Sequence, residues 1–236
     1  MEPITKSAVQ IRLDETNWPS GLEDSTSSGP MRLRKAFATA RDLFTQFSRV
    51  VEANSNNRHL TPAGIRDANA KWAAENLPKL RDEFERARSV AAEVEAKLTK
   101  ALLAEYMEPA TELADIALLQ EVRGWLSSIP EAQRASRVMQ IASSGDKTAL
   151  RALLTVPSYL APIPPDQLAI IRDEVAKKAY PDRFAKLEAF RAMIAATERA
   201  VDGVARFVEQ EAMRPVEVEA ARAQSMQVRQ RAPQPA

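Results

Sequence analysis

The chain has 236 residues, of which 45% are apolar, enough to bury a core, and its 33 basic and 32 acidic residues leave a formal charge of only +1. So even a balance excludes a global field that would draw in nucleic acid or an anionic membrane. The absence of cysteine excludes a disulfide framework, and one histidine and six glycines leave little material for proton-transfer, metal or phosphate-loop sites.

Residues 1–30 hold Pro3, Pro19 and Pro30, the run Ser25-Thr26-Ser27-Ser28, and five acids (Glu2, Asp14, Glu15, Glu23, Asp24) against Lys6 and Arg12. This composition reads as an extended acidic arm of net charge −3, not as a helix, and its first residues lack the apolar run of a secretory signal. Trp18 has no local core to join in such an arm, which makes it a candidate anchor on a neighbour.

Beyond the arm nearly everything reads as helix. Leu33, Phe37, Ala40, Phe44, Phe47 and Val51 form a 4-3-4-3-4 stripe, predicting a helix over 31–53. Asn54 to Leu60 is a polar turn, and Thr61-Pro62 starts the next helix with a hydroxyl cap and a first-turn proline. From Ala70 through Ala73, Leu77, Leu80, Phe84, Ala87, Ala91, Val94 and Leu98 to Ala101 the apolar positions keep heptad-like spacing, with a kink or break expected at Pro78. Alanines at Ala87 and Ala91 require a closely approaching partner helix and are candidate interface positions. Asp67 with Lys71, Glu75 with Lys79, Asp82 with Arg86 and Glu93 with Lys97 are spaced as i,i+4 pairs on a solvated face. Residues 31–107 form one block of long helices in this reading.

A second block, 108–214, opens at Pro109 with a helix holding Leu113, Ile116, Leu119, Val122, Trp125 and Leu126. It is apolar on more than one face and is expected at the centre of the bundle. Ser128 and Glu131 fit a capping box for the next helix, which ends at Gly145, and a short helix with Leu150, Leu153 and Leu154 follows. Residues 156–165 hold four prolines and read as an extended connector, in which Tyr159 and Leu160 are candidate contact residues. Leu168, Ile171 and Val175 resume the helical pattern. Pro181 begins a last long helix with Leu187, Phe190, Ile194, Val201, Val204 and Val208 and a single polar slot at Thr197. Residues 215–236 form a Pro/Gln/Arg tail, the second terminal arm. The fold class is all-α: an elongated helical bundle with heptad-patterned, coiled-coil-like helices and extended terminal arms.

No constellation reads as catalytic, and neither a cofactor nor a metal is implied. His59 lies in a polar turn without ligand partners nearby, and Glu112 with Asp115, or Glu83 with Glu85, read as surface carboxylates. Ser144-Gly145-Asp146-Lys147 lacks phosphate-loop spacing. The most basic stretch is 31–60, where six bases face Asp42 and Glu52 for a net +4; Arg32, Arg34 and Lys35 are its candidate polyanion contacts. The helix–Gly145–helix segment resembles a helix-turn-helix only superficially, because its second helix presents apolar side chains instead of base-reading ones. Nucleic acid is therefore a possible but less favoured partner, and no window is apolar enough to span a membrane.

Leu60-Thr61-Pro62-Ala63-Gly64-Ile65-Arg66 opens a long charged helix, and Gly145-Asp146-Lys147-Thr148-Ala149-Leu150 through Pro157-Ser158-Tyr159-Leu160 follows far downstream. Over residues 60–182 this layout resembles uncharacterised helical proteins of tailed bacteriophages and prophages. The resemblance brings no activity. It implies a phage-encoded protein, made in the host cytoplasm and then carried in the virion, that partners itself or other phage structural proteins in an oligomer or larger assembly. The expected function is a non-enzymatic virion or morphogenesis component acting through helix–helix and arm-mediated contacts; the alternatives are a nucleic-acid-binding protein and a host-directed regulator.

Overall fold

The computed structural model describes residues 4–19, 28–108, 110–155, 161 and 163–231. All regular structure among them is helical: α1 (Lys6–Arg12), a 3-10 turn (Glu15–Asn17), α2 (Ser28–Asn56), α3 (Pro62–Leu102), α4 (Ala104–Met107), α5 (Leu113–Ser128), α6 (Glu131–Ser144), α7 (Lys147–Leu154), α8 (Pro165–Ala179), α9 (Pro181–Ala212) and α10 (Val216–Arg231). The chain divides into two compact units, one of residues 1–94 and 189–236, the other of 95–188. This partition differs from the sequential blocks 31–107 and 108–214, because long-range packing joins the first third of the chain to its end.

In the first unit the apolar stripe of α2 meets Ala73, Leu77, Leu80 and Phe84 of α3 and Ala200, Val201, Val204 and Val208 of α9. Phe47 packs edge-on to Phe207 at 6.3 Å and lies 5.1 Å from Trp72, so aromatic rings fill the middle of this core. A second cluster joins Leu33 and Ala36 of α2, Ala87 and Ala91 of α3, and Phe190 and Met193 of α9. Thr197, the polar slot of α9, is fully buried and its hydroxyl donates to the Met193 carbonyl at 2.8 Å, which satisfies it within its own helix.

Four local expectations are corrected here. The N-terminal segment is not an extended arm along residues 4–18: Thr5 caps α1 by accepting from the Ala8 N–H, and Val9 and Leu13, one turn apart, bury against the core. The helix predicted from residue 31 begins at Ser28, with Gly29 and Pro30 buried. Of the kink or break expected at Pro78 the break does not occur: α3 continues through Pro78, which lies on the exposed side, and the Asn76 side-chain amide donates to the Trp72 carbonyl at 2.9 Å. The four expected i,i+4 pairs of α3 do not close, although all eight side chains lie in solvent as their pattern implied. Lys35 of α2 reaches Glu83 instead, at 2.9 Å.

The second unit has its own core, in which Leu126 of α5, Val138 and Ile141 of α6, Leu150, Leu153 and Leu154 of α7, and Leu168, Ile171 and Val175 of α8 are buried. α6 ends on Gly145 in the left-handed conformation (φ 75°), and Asp146 then caps α7 through the Ala149 N–H at 3.0 Å. The expected capping box of α6 does not form. Pro130 precedes α6 without a side-chain cap, and the Ser128 hydroxyl donates backward to the Trp125 carbonyl at 2.7 Å. Arg134 secures this turn by donating to the carbonyls of Ser127 and Ile129.

Candidate interaction surfaces

The sequence-predicted contact residues are distributed unevenly. Trp18 is half-buried and its ring lies 4.9 Å from that of Phe37, so the anchor finds its core within the chain. Ala87 and Ala91 are buried in the seam between α2, α3 and α9, where their small size admits Leu33 and Phe190. That seam closes inside one chain and offers no surface to a neighbour. Tyr159 and Leu160 lie outside the described residues. Arg32 and Arg34 are exposed on α2, whereas Lys35 is paired with Glu83. Of the acids of the N-terminal segment that are described, Asp14 and Glu15, neither meets this trio; Glu15 pairs with Arg41 further along α2.

A surface the sequence did not disclose lies on α5. Leu119 and Leu126 point inward, and Arg123 between them donates to the Ala152 carbonyl at 2.8 Å and to the Thr155 hydroxyl at 3.0 Å, holding the end of α7. On the other side Leu113 is 85% exposed, Leu118 46%, Trp125 44% and Ile116 38%. The expectation that α5 is central is therefore corrected: its all-round apolar character has core partners on one side only. The spacings 113-117-120-124 and 114-118-121-125 place two adjacent 4-3-4 stripes along the exposed side. Beside Trp125 a groove of about 580 Å³ runs toward α6, lined by Ile129, Ala132, Gln133 and Ser136. Arg137 closes one edge, its guanidinium 5.6 Å from the Trp125 ring centroid, a cation–π distance.

In the first unit the charged counterpart is a cluster at the root of α10. Glu219 is 1% exposed; Arg214 Nε lies 3.6 Å and Arg222 3.9 Å from its carboxylate, and Arg222 also donates to Glu211 at 3.1 Å. Burial lowers the Arg214 pKa from its ordinary value, the neighbouring Arg222 lowers it further, and Glu219 opposes both. Neither Glu219 oxygen accepts a hydrogen bond. The cluster borders a cavity of about 340 Å³ reached by Ile4, Ser48, Val51 and Phe207. It is an ion network that seats one helix, and its opposite charges answer one another.

Among the described residues no group of three or more His, Asp or Glu side chains is placed to hold a metal ion, and no helix is long and apolar enough to cross a membrane. His59 is exposed in its turn. Compared with known protein families, curated proteins and solved structures, the chain matches none of them.

Proposed function

We propose that this protein is a non-enzymatic assembly component that works through helix–helix contacts, in a bacteriophage virion or in its morphogenesis. The observation that carries the reading is the exposed side of α5, where Leu118 and Trp125, two turns apart, share one face and Leu113 stands exposed at the start of the helix, while Leu119 and Leu126 are buried in the core. Water-exposed leucine and tryptophan at helical spacing are what a helix presents when its partner belongs to another chain. The assignment to phage follows the sequence resemblance over residues 60–182. The arm-mediated part of the expectation is not retained for residues 4–18, which are committed to their own unit.

A nucleic-acid reading draws on exposed Arg32 and Arg34, with Arg49 and Arg58 exposed further along the same stretch, but these four guanidiniums are a small footprint where tight phosphate-tracking proteins use six or more. Light scattering coupled to size exclusion, at low and high salt, tests the assembly reading. A self-associating species, or a salt-insensitive complex with a capsid, portal or tail component, supports it. A chain that stays monomeric and binds one host protein stoichiometrically replaces it with the regulator reading.

A further inference from the structure

The cavity of about 340 Å³ beside the ion network of α10 has walls of three kinds. Val51 of α2 and Phe207 of α9, both buried in the core, and Ile4 ahead of α1 supply an apolar side. Ser48, on α2 with Val51, supplies a hydroxyl whose oxygen is buried and has no hydrogen-bond partner, although a helical serine commonly bonds back to its own helix. Arg214, Arg222 and Lys6 supply three positive charges. Glu211 spends one carboxylate oxygen on Arg214 and the other on Arg222, and Glu219 stands near both guanidiniums, so two carboxylates balance two arginines. The Lys6 ammonium is exposed and, among the described residues, has no ion pair; Arg214 donates no hydrogen bond from Nη1. The cavity therefore joins one surplus positive charge and unspent donors to an apolar wall.

We propose that this cavity is a binding site for a small monocarboxylate with an apolar body. It lies in the first unit, whereas α5 belongs to the second, and it does not depend on the assembly reading. Charge selects an anion. A cationic ligand finds Glu211 already engaged at both oxygens, while a carboxylate meets Lys6, the unspent nitrogen of Arg214 and the Ser48 hydroxyl. A phosphate dianion brings more charge than the surplus answers and sets the excess beside Glu211, which is itself buried. The apolar wall calls for a hydrocarbon chain or ring on the same molecule, which an inorganic anion lacks. At about 30 Å³ for each water-sized group the volume suits about ten non-hydrogen atoms, the size of a medium-chain fatty acid. Because the walls come from the start of the chain, α2, α9 and α10, a bound carboxylate ties α10 and the N-terminal segment to the core of the first unit.

Isothermal titration calorimetry of the full chain with sodium octanoate tests the site, with octanol, octylammonium and inorganic phosphate as comparison ligands. Octanoate should bind saturably and at least ~10-fold tighter than octanol, which has the same chain without the charge. Octylammonium and phosphate should bind no tighter than octanol. Lys6→Gln should weaken octanoate about 3-fold, the scale of a solvent-exposed charge, and leave the thermal midpoint of the free protein unchanged because no ion pair is lost. Ser48→Met fills the cavity and should weaken octanoate ~10-fold or more. Ser48→Ala removes only the unpaired hydroxyl, so it keeps the test open where the larger side chain disturbs folding: it should weaken octanoate about 3-fold without loss of stability. Hydrogen exchange adds a second readout, since octanoate at saturation should slow exchange across residues 216–231 and octanol should not. A heat that does not saturate, or octanol, octylammonium or phosphate binding as tightly as octanoate, overturns the proposal. So does octanoate binding that is indifferent to both Lys6→Gln and Ser48→Ala.

Discussion

Gly29 occupies a space defined by its neighbours: a Cβ there would lie 3.1 Å from the ring of Phe190 and 3.2 Å from Val94. Phe190 is fully buried and cannot recede, so Gly29→Ala should destabilise the protein by about 1 kcal/mol despite alanine's higher helix propensity, which urea denaturation will measure. Trp18 offers the opposite case, a large side chain whose removal leaves Phe37 uncovered. Trp18→Ala should cost about 2 kcal/mol and should raise amide exchange in α1. The Asp14 carboxylate is held below its ordinary pKa of 3.8, first by the Thr16 N–H and then by the Thr16 hydroxyl. Because the folded value is the lower one, this capping contact contributes above pH 3.8 and is lost as pH falls through the folded pKa. An NMR titration should show the Thr16 amide shifting only below pH 4. Little of this was legible in the sequence: Trp18 stood among prolines, serines and acids that spell an arm, and the Val9–Leu13 pair is too short a stripe to outweigh them. His59, Gly145 and Thr197 were legible, because a lone polar turn, a left-handed stop and a polar gap in a heptad each depend on immediate neighbours.

Among the elements, the long stripes were the most legible, since a helix of 29 or 41 residues repeats its pattern many times. What sequence left open was where each stripe finds its partner. Ala87 and Ala91 fit a seam between chains as well as within one, and only the return of α9 beside α2 closes it internally. α5 misled in the other direction, since leucines on every face describe a central helix and an interface helix equally. α10 is held differently from the rest: Glu219 is its one fully buried side chain among the described residues, so an ion network seats the start of this helix. Glu219→Ala leaves Arg214 and Arg222 facing only Glu211. It should loosen α10 by about 2 kcal/mol, less than a fully buried pair because both arginines are partly exposed, and hydrogen exchange across residues 216–231 will show it as selective deprotection. Pro78 is the counterpart in α3. An interior proline lacks the N–H that would bond one turn back, so Pro78→Ala should stabilise the chain by about 1–3 kcal/mol in thermal unfolding.

At the scale of the whole molecule the decisive quantities are charge balance and the location of exposed apolar surface. A formal charge of +1 spread over two separately cored units gives no long-range field, and the exposed arginines of α2, Arg32, Arg34 and Arg49, are too few to make one. Association through phosphate contacts would fall steeply between about 50 and 200 mM salt, because each neutralised phosphate releases a counterion. Association through α5 behaves otherwise. Burying leucine and tryptophan is insensitive to moderate salt. The self-association constant should therefore change by less than about 3-fold over that salt range. Arg32→Glu with Arg34→Glu should leave it unaltered, since neither side chain belongs to the apolar face of α5. Sedimentation at the two salt concentrations decides this: a drop of tenfold or more, abolished by the double charge reversal, would move the functional surface from α5 to the basic face of α2.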